Sequence, residues 1–249
     1  MKTRVDLNAD LGEGAPNEPA LLSLISSASI ACGFHAGDAS SMSASIRAAQ
    51  AAGVAIGAHP SLADRENFGR SEMEVTPEEV FALVVYQLGT FQAIATSLGA
   101  QPHHVKPHGA LYNMAAREPA LADAVARAVG AVESSLILFA PAKSALEQAG
   151  QARGLRVARE VFADRNYLST GALVPRSRPD ALLHDSEEAA ARVLRMLRDG
   201  VVRTVDGNDL AIEAETICVH GDTAEAVEFA RSLRAALADA DIDVAAPFA

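Results

Sequence analysis

The sequence predicts a single α/β domain, a closed or nearly closed parallel β/α barrel of the TIM type. Three observations support this prediction: seven short apolar runs, helical segments of about 10–20 residues between them, and a length of 249 residues, the usual size of one such barrel. Alternating strands and helices indicate βαβ units with right-handed crossovers. The first run leads into N-A-D-L-G-E-G at 8–14, which is neither a dinucleotide fingerprint nor a P-loop. We therefore favour a barrel over an open nucleotide-binding sheet.

The seven apolar runs are the expected strands. They occupy 4–8, 28–32, 54–58, the residues around Val105, 136–140, 155–162 and 216–219. Nearly all of these runs end in polar residues that are capable of chemistry. In a parallel barrel the loops that follow the strands converge on one mouth, so one face of the protein should hold almost all of its chemistry.

The segments between the runs carry helical periodicity and helix-end signals. The clearest helix begins at Thr76, where Thr76, Pro77 and Glu79 form an N-cap, a first-turn proline and a capping box. Apolar residues then recur on one face as far as Leu98, and Gly99 ends the helix. Similar helices are expected at 40–52, 118–129, 142–149 and 186–199, each followed by glycine, and at 222–237. Abundant alanine supports these helices.

Composition bounds the class of protein. Hydrophobic residues make up 49% of the chain and charged residues 21%, which is enough for a large core. The net charge of -11 argues against nucleic acid or an anionic membrane as a partner, because both need a basic surface. If basic residues cluster anywhere, we expect them to do so at the functional site.

Cysteine usage and the chain's opening segment bear on its location. Cys32 and Cys218 are expected to be reduced packing residues, since two thiols in a chain this long do not make a disulfide framework. The chain opens without an apolar leader. We also expect no stretch of about 18 uncharged apolar residues, the length that a membrane-spanning helix needs. No linker-like segment divides the chain. We therefore expect one cytoplasmic domain spanning 1–249.

The densest acidic cluster begins within the first strand and contains Asp6, Asn8, Asp10 and Glu13. Asp6 and Asn8 share one face of a strand and should point into the barrel, where an unpaired carboxylate would cost several kcal/mol. Asp10 and Glu13 are catalytic candidates at the mouth. The alternative is that Asp10 or Glu13 merely caps the following loop or helix, as acids often do.

Two histidines follow the second and third strands. His35 lies in C-G-F-H-A-G-D, where Gly33 and Gly37 let the backbone turn sharply and approach a ligand. His59 directly precedes a proline after an apolar run. Both are catalytic candidates, although an isolated histidine is more often a packing residue. The segment 65–70 ends in Arg70 and is either a mobile lid or a solvated loop.

The most specific short element is K-P-H-G-A-L-Y-N at 106–113. Lys106 and His108 are two residues apart on an extended chain, so an ammonium and an imidazole face the same side. Proline at 107 blocks a helix there and stiffens the pair, and Asn113 closes the element. His103 and His104 begin the strand, at the end opposite the expected site, and are predicted to be structural or exposed.

The last two strands deliver further polar residues. Asp164 and Arg165 follow the sixth strand, and His220 and Asp222 follow the seventh. We expect these residues to bind substrate. Asp222 has a second interpretation, because it can cap the last helix with Glu225 completing a capping box.

A divalent metal is a competing explanation for the same residues. The available oxygen and nitrogen ligands are Asp10, His35, His59, His108 and His220. However, no H-E-x-x-H or C-x-x-C spacing is present, and ligands drawn from separate strands leave no spacing to test. We assign no metal ligands from the sequence and leave the requirement for a metal open.

Six motifs in order, spanning Asp6 to Asp222, resemble the LamB/YcsF family. The motifs are D-L-N-A-D-L-G-E-G, I-A-C-G-F-H-A-G-D, G-A-H-P-S with N-F-G-R, V-K-P-H-G-A-L-Y-N, E-V-F-A-D-R-N-Y and C-V-H-G-D. The resemblance implies an irregular seven-stranded β/α barrel related to glycoside hydrolase and polysaccharide deacetylase folds. It also implies ATP-dependent opening of the 5-oxoproline (pyroglutamate) lactam to L-glutamate, together with separate B and C subunits of a 5-oxoprolinase. One departure is L-A-D at 62–64, where an aromatic residue and a proline are expected.

The chemistry of such a reaction assigns roles to the candidates. Asp10 or Glu13 would be the general base, Lys106 and His108 an electrostatic pair, and Arg165 or Arg70 a clamp for the substrate carboxylate. Without a P-loop in the chain, ATP is expected to bind with the partner subunits. The complete candidate set is Asp10, Glu13, His35, His59, Lys106 and His108 as catalytic residues, and Asn8, Arg70, Asn113, Asp164, Arg165, His220 and Asp222 as substrate-binding residues.

Two other functions remain open at this point. A metal-dependent carbohydrate deacetylase, or another amide hydrolase acting alone, would use the same types of residue. A noncatalytic binding protein is the third possibility, and the ring of ionisable groups argues against it because a scaffold gains nothing from burying them.

Overall fold

The structure, a computed structural model, describes residues 4–219 and 226–248. Within these residues the chain runs in the order β1 (Arg4–Leu11), α1 (Glu18–Leu21), β2 (Ser27–Ala31), α2 (Ala39–Ala52), β3 (Ala55–His59), α3 (Pro77–Ser97), β4 (Pro102–Val105), α4 (Gly109–Arg117), α5 (Pro119–Val132), β5 (Ile137–Pro141), α6 (Ala145–Ala152), β6 (Val157–Phe162), α7 (Ser186–Asp199), β7 (Val201–Arg203), β8 (Asp209–Ala211), β9 (Thr216–Cys218), α8 (Ala226–Asp239) and β10 (Asp243–Val244).

Seven parallel strands close into a barrel. Strands β1 to β6 pair in sequence, β6 pairs with β9, and β9 returns to pair with β1. All seven strands predicted from the apolar runs are present, so the fold prediction is confirmed. Two features depart from a regular barrel: β10 adds to the edge of β1 in parallel, and β7 with β8 forms a separate antiparallel hairpin.

Helix starts follow the capping residues. Thr76 caps α3, and Glu79 reciprocates in the predicted capping box. Asp38 caps α2 in the same way, and Asp185 caps α7. These caps fix where each helix begins, and hence where the loops at the barrel mouth end.

Two helix ends were predicted wrongly. Gly130 and Gly150 lie inside helices α5 and α6, which end at Val132 and Ala152. At Gly150 a Cβ atom would lie 2.7 Å from Val157 Cγ2, so this glycine allows α6 to approach the barrel closely. Close packing, rather than chain termination, therefore explains Gly150.

Two further elements were not anticipated from the sequence. Helix α4 begins at Gly109, directly after the proline that blocks a helix at 107, and the β7–β8 hairpin follows α7. Helix α4 matters for the site, because it places Tyr112 over the barrel interior.

The barrel interior contains a column of polar side chains below the mouth. Asp6 is fully buried on β1 and accepts hydrogen bonds from the hydroxyl groups of Ser26, Ser27 and Thr216. Thr216 in turn accepts a hydrogen bond from the amide of Asn8 at 2.7 Å. The prediction that Asp6 and Asn8 share an inward face is confirmed.

The column makes stability depend on pH through Asp6. Burial, only partly offset by the three hydroxyl donors, raises the pKa of Asp6 from 3.8 to about 6. The folded state therefore holds this proton more tightly than the unfolded state, so stability falls as pH rises from about 4 to about 6, by roughly 3 kcal/mol. Denaturant unfolding of wild type and Asp6→Asn across this range should show the wild type losing stability relative to the variant. A pH-independent difference would contradict the prediction.

One described helix, α3, is long and apolar enough to cross a membrane. An 18-residue window of this helix has a mean hydropathy of 1.4, and 33% of it is buried within the protein. The stretch 80–97 carries no charged residue, contrary to the expectation from the sequence. Length and composition are weak evidence here, since a core helix passes the same test. Buried residues Val84, Leu88 and Phe91 belong to the main hydrophobic core.

Candidate active site

The carboxyl ends of the strands surround a cavity of about 650 Å³, within the usual range for small-molecule sites. Its ionisable lining at the strand ends includes Asp10, Glu13, His59, Lys106, His108 and Glu160. One face therefore gathers the polar residues that follow β1, β3 and β4, together with a carboxylate from β6.

Lys106 occupies the centre of the cavity floor and is only 2% exposed. Its ammonium lies 3.0 Å from Asp10 Oδ1, 2.9 Å from Glu160 Oε1 and 3.0 Å from Asn8 Oδ1. The ammonium donates hydrogen bonds to Asn8 Oδ1 and Cys218 Sγ and forms ion pairs with the two carboxylates. Together these contacts offset much of the cost of burying the charge. Although burial opposes it, the nearby Asp10 charge raises the pKa of Lys106 well above its usual value, so the group remains protonated.

Glu160 was not predicted as a site residue. It is buried on β6 and accepts hydrogen bonds from the Asn8 amide and the Tyr112 hydroxyl in addition to the Lys106 contact. The available signal was a glutamate within the otherwise largely apolar strand V-A-R-E-V-F. Its side chain points inward because alternate residues of a strand share a face.

Asp10 remains ionised beside two cationic groups. Burial opposes ionisation, but the charges of His59 and Lys106 hold the pKa of Asp10 well below its usual range. Its second oxygen, Oδ2, lies 3.3 Å from His59 Nε2. Asp10 therefore acts as an anion between an ammonium and an imidazole rather than as a helix cap.

The loop that carries Glu13 is held by a different acid. Glu18, in the short helix α1, accepts hydrogen bonds from the backbone N–H groups of residues 12 to 15 at 2.9–3.1 Å. Glu13 itself points into the cavity, so the capping role considered for it belongs to Glu18. These N–H donors are consequently occupied and do not face a ligand.

Three histidines from β2, β3 and β4 converge on Glu13. His35 Nε2 lies 2.9 Å from Glu13 Oε1, and His108 Nδ1 lies 3.5 Å from the same oxygen. His59 Nε2 lies 2.9 Å from His108 Nδ1. The His35 and His108 rings stack 3.9 Å apart with an interplanar angle of 5°, whereas His59 is nearly perpendicular to both.

The outer nitrogen of each histidine has a fixed partner. His59 Nδ1 donates to the Lys106 carbonyl at 2.6 Å, and His108 Nε2 donates to the Phe68 carbonyl at 2.9 Å. His35 Nδ1 lies 2.9 Å from Ser61 Oγ, whose own proton goes to the Leu62 carbonyl. Because carbonyls only accept hydrogen bonds, these contacts place a proton on each outer nitrogen.

The environment sets the charge of these groups. Burial, reinforced by the charge of His59, lowers the pKa of His35 to about 3 and that of His108 to about 2. Although burial opposes it, the Asp10 carboxylate raises the pKa of His59. Burial and the Asp10 charge raise the pKa of Glu13 to about 7. His35 and His108 are therefore neutral at physiological pH.

The loop after β3 closes around the histidines. Gly69 has a left-handed φ of +67°, and a Cβ there would lie 2.8 Å from His35 Cβ. Its carbonyl accepts a hydrogen bond from Ala110 N at 2.8 Å, and Arg65 donates to the carbonyls of Gly33 and Gly37. The segment considered as a lid or solvated loop is thus tied to the loops after β2 and β4.

The far wall of the cavity is lined by basic and polar side chains. Arg70 lines it with its guanidinium 5.1 Å from the centre of the Phe68 ring. Arg165 also lines it, is 7% exposed and donates to the Val174 carbonyl at 2.7 Å. Asn113, exposed on α4, completes this group. Three of the predicted substrate-binding residues therefore face the same space.

Of the other predicted substrate-binding residues, Asn8 and Asp164 do not line the cavity. Asn8 lies beneath Lys106 with its amide bonded to protein groups on both sides. Asp164 is half-buried and follows β6, but it is not among the cavity-lining residues within 4–219 and 226–248. His220 and Asp222 lie outside the described residues.

Two residues predicted to be remote from the site are indeed remote from it. His104 is fully buried, stacks 4.3 Å from Phe139 and lies 3.2 Å from Ser29 Oγ through Nε2. His103 is its partly exposed neighbour at the start of β4. Both lie toward the amino ends of the strands, so substitutions there can serve as controls for substitutions at the barrel mouth.

Both cysteines are free and buried, as the sequence predicted. Burial raises the pKa of the Cys32 thiol to about 12 and that of Cys218 well above its usual value. Cys218 was not expected at the site, yet its Sγ lies 3.1 Å from Lys106 Nζ. As a protonated thiol it packs against the ammonium and is not a nucleophile.

The fold and the site together define a β/α-barrel protein with an acid–base cluster at the carboxyl ends of its strands. The chain belongs to the LamB/YcsF family, whose model matches residues 5–249. It is 54% identical over 242 residues to the 5-oxoprolinase A subunit of Bordetella pertussis, in an alignment that covers 95% of this chain and 96% of that protein. The 5-oxoprolinase A subunit of Bordetella parapertussis shows the same identity and coverage.

One solved structure agrees with the family assignment, and a second shares the fold. A lactam utilization protein from Thermus thermophilus is 44% identical and has a TM-score of 0.91, covering 98% of this chain and 99% of that chain. A structure described as T48 deacetylase with substrate has a TM-score of 0.51 at 15% identity, covering 97% of this chain and 86% of that chain. The second likeness concerns the fold alone.

Proposed function

We propose that this chain is the A subunit of an ATP-dependent 5-oxoprolinase, which hydrolyses the 5-oxoproline lactam to L-glutamate together with B and C subunits in the cytoplasm. The observation that carries the proposal is the 54% identity to 5-oxoprolinase A subunits over 95% of the chain. The cavity supports it, because one enclosed space contains a carboxylate pair, a permanent ammonium and basic side chains. These are the groups that a small anionic lactam requires.

The reaction adds one water molecule across the lactam C–N bond. The hydroxyl group goes to the carbonyl carbon, negative charge develops on the carbonyl oxygen, and the ring nitrogen receives a proton as it departs. Such a step needs a base for the water, a cation for the oxyanion and an acid for the nitrogen.

Asp10 and Lys106 fit the first two requirements. Both line the cavity, and the ammonium is held rigidly by Asn8, Asp10 and Glu160. A preorganised cation in a site shielded from water stabilises developing negative charge without reorganising. We assign Asp10 to activating the water and Lys106 to the oxyanion, with Asn8 and Glu160 as positioning residues.

The basic wall fits the carboxylate of 5-oxoproline. Arg165 and Arg70 both line the cavity, and a guanidinium binds a carboxylate through two parallel N–H donors. The cavity of about 650 Å³ is larger than a single five-membered lactam needs. The remaining volume accommodates a larger activated form of the substrate or a segment of a partner protein.

The isolated chain should neither bind ATP tightly nor turn over 5-oxoproline. The sequence contains no glycine-rich phosphate-binding loop, so ATP is expected to act with the B and C subunits. Glutamate formation from 5-oxoproline and ATP should therefore require all three subunits, and calorimetric titration of the isolated chain with ATP should show no tight binding. Rapid ATP-dependent turnover by this chain alone would contradict the division of labour.

An acetate-release assay, run beside the glutamate assay, distinguishes the main alternative. A carbohydrate deacetylase acting alone would release acetate from acetylated sugars without ATP or partner subunits. Acetate release by the isolated chain, combined with no glutamate formation by the complete set of subunits, would replace the proposed function.

A further inference from the structure

We propose that Glu13, His35, His59 and His108 bind a divalent transition-metal ion at the barrel mouth. Their four ligand atoms lie within 4.8 Å of one another and come from four separate loops or strand ends. The proposal goes beyond lactam hydrolysis and does not depend on it. It also revises the interpretation of the sequence, which assigned these residues to acid–base chemistry and assigned no metal ligands.

The spacing of the ligand atoms suits one ion. For metal–ligand bonds of about 2.1 Å, tetrahedral ligand atoms lie roughly 3.4 Å apart. Glu13 Oε1 lies 2.9 Å from His35 Nε2, 3.5 Å from His108 Nδ1 and 3.9 Å from His59 Nε2. The His59–His108 separation is 2.9 Å. These distances bracket the tetrahedral value. The His35 and His108 rings are stacked and parallel, and a ligating imidazole holds the ion in its own plane, so one of these two rings must turn when the ion binds.

The outer hydrogen bonds orient the rings for metal binding. Each imidazole donates its outer N–H to a protein oxygen, namely the Lys106 carbonyl, the Phe68 carbonyl or Ser61 Oγ. Metal-binding histidines typically carry such a partner, because it fixes the tautomer and aims the other nitrogen at the ion. In neutral rings, the inward nitrogens of His35, His59 and His108 then carry lone pairs and lie 2.9–3.9 Å from Glu13 Oε1.

Charge also favours a cation at this position. Three carboxylates, from Asp10, Glu13 and Glu160, lie at the mouth against the single ammonium of Lys106, and the Arg70 guanidinium acts on Glu13 from the cavity wall. Two short contacts join acceptor atoms, His59 Nε2 to His108 Nδ1 and His35 Nε2 to Glu13 Oε1. Without an ion, each contact needs a proton, one on His59 Nε2 and one on Glu13. A dication satisfies the same four groups at once.

The donor set selects the class of ion. Three imidazole nitrogens and one carboxylate oxygen suit Zn²⁺ and related borderline ions, and they suit Mg²⁺ or Ca²⁺ poorly. When bound, such an ion can polarise a carbonyl oxygen or activate water. Asp10 stays outside the four ligands, held at 3.0 Å by Lys106.

Direct metal binding tests the proposal. Wild-type chain stripped with a chelator should bind one equivalent of Zn²⁺ in calorimetric titration, and its thermal unfolding midpoint should rise on reloading. Glu13→Gln and His108→Gln should each weaken Zn²⁺ binding at least about 10²-fold. Ser61→Ala removes only the partner of His35 and should weaken binding about 10- to 100-fold. His103→Gln, at the opposite end of β4, is the matched control and should bind as wild type does.

The wild-type titration is decisive because it involves no substitution. Binding well below one equivalent at micromolar free Zn²⁺ overturns the proposal and leaves a proton-linked histidine cluster in its place. Equal loss of binding in His103→Gln and His108→Gln also overturns it, since the ion would then be bound elsewhere. Neither outcome bears on glutamate formation by the three subunits, so this site and the proposed function fail separately.

Discussion

Replacing Lys106 with methionine should lower turnover sharply and destabilise the fold. The variant leaves Asp10 and Glu160 buried without their shared cation, an arrangement that costs about 3–5 kcal/mol when one partner of a buried pair is removed. It also removes the charge assigned to the oxyanion, which is worth about 10²-fold or more in turnover. Glutamate formation with the B and C subunits present, and denaturant unfolding of the isolated chain, measure the two effects.

A double variant separates the two losses. Lys106→Met with Glu160→Gln removes one of the two stranded carboxylates, so part of the lost stability should return while turnover stays low. His103→Ala is the control for substitution within the same strand and should change neither measurement by much. Normal turnover in Lys106→Met would exclude the ammonium from the reaction, whatever its effect on stability.

Asp10→Asn should lower turnover by about 10²- to 10⁴-fold, the usual worth of a general base. The substitution is nearly isosteric and leaves a carbonyl oxygen that can still accept from Lys106, so the cavity should keep its shape. Calorimetric binding of 5-oxoproline should therefore persist. Zn²⁺ binding should also persist, because Asp10 lies outside the four proposed ligands.

Glu13→Gln is the matched variant for that experiment. It makes the same chemical change three residues further along the chain, yet it should lose Zn²⁺ binding as well as turnover. If instead Asp10→Asn lost the ion and Glu13→Gln kept it, the two carboxylates would have exchanged roles. Near-normal turnover in Asp10→Asn would remove Asp10 from the mechanism.

The sequence predicted the barrel because strand and helix periods are local properties. Nearly every apolar run was short and ended in polar residues, and the connecting segments carried helix-end signals, of which the Thr76 cap of α3 is the clearest. The error at Gly150 arose because a glycine that ends a helix and one that admits a close neighbour look identical in sequence. Only the position of Val157 distinguishes them at Gly150. Nothing in the structure explains the glycine at position 130, where a Cβ would make only an ordinary contact at 3.8 Å.

The candidate site was predictable where residues follow strands in recognisable loops. Asp10, His59 and His108 were chosen for that reason and do line the cavity. Glu160 was missed because it lies within a strand, where an inward carboxylate becomes intelligible only beside Lys106. Likewise, the grouping of Glu13 with three histidines depends on the closure of the barrel, which brings together residues that are far apart in the sequence.

The residues that hold Lys106 lie within strands, and this bears on how substrate preference can change between relatives. Asn8, Asp10 and Glu160 belong to β1 and β6, whereas much of the far wall comes from the segment 165–176. Exchanging that segment between relatives alters the shape of the binding space without moving the ammonium or its partners. Differences in substrate between relatives should therefore come from substitutions in the wall segment 165–176. The strand residues that hold Lys106 should tolerate almost no substitution.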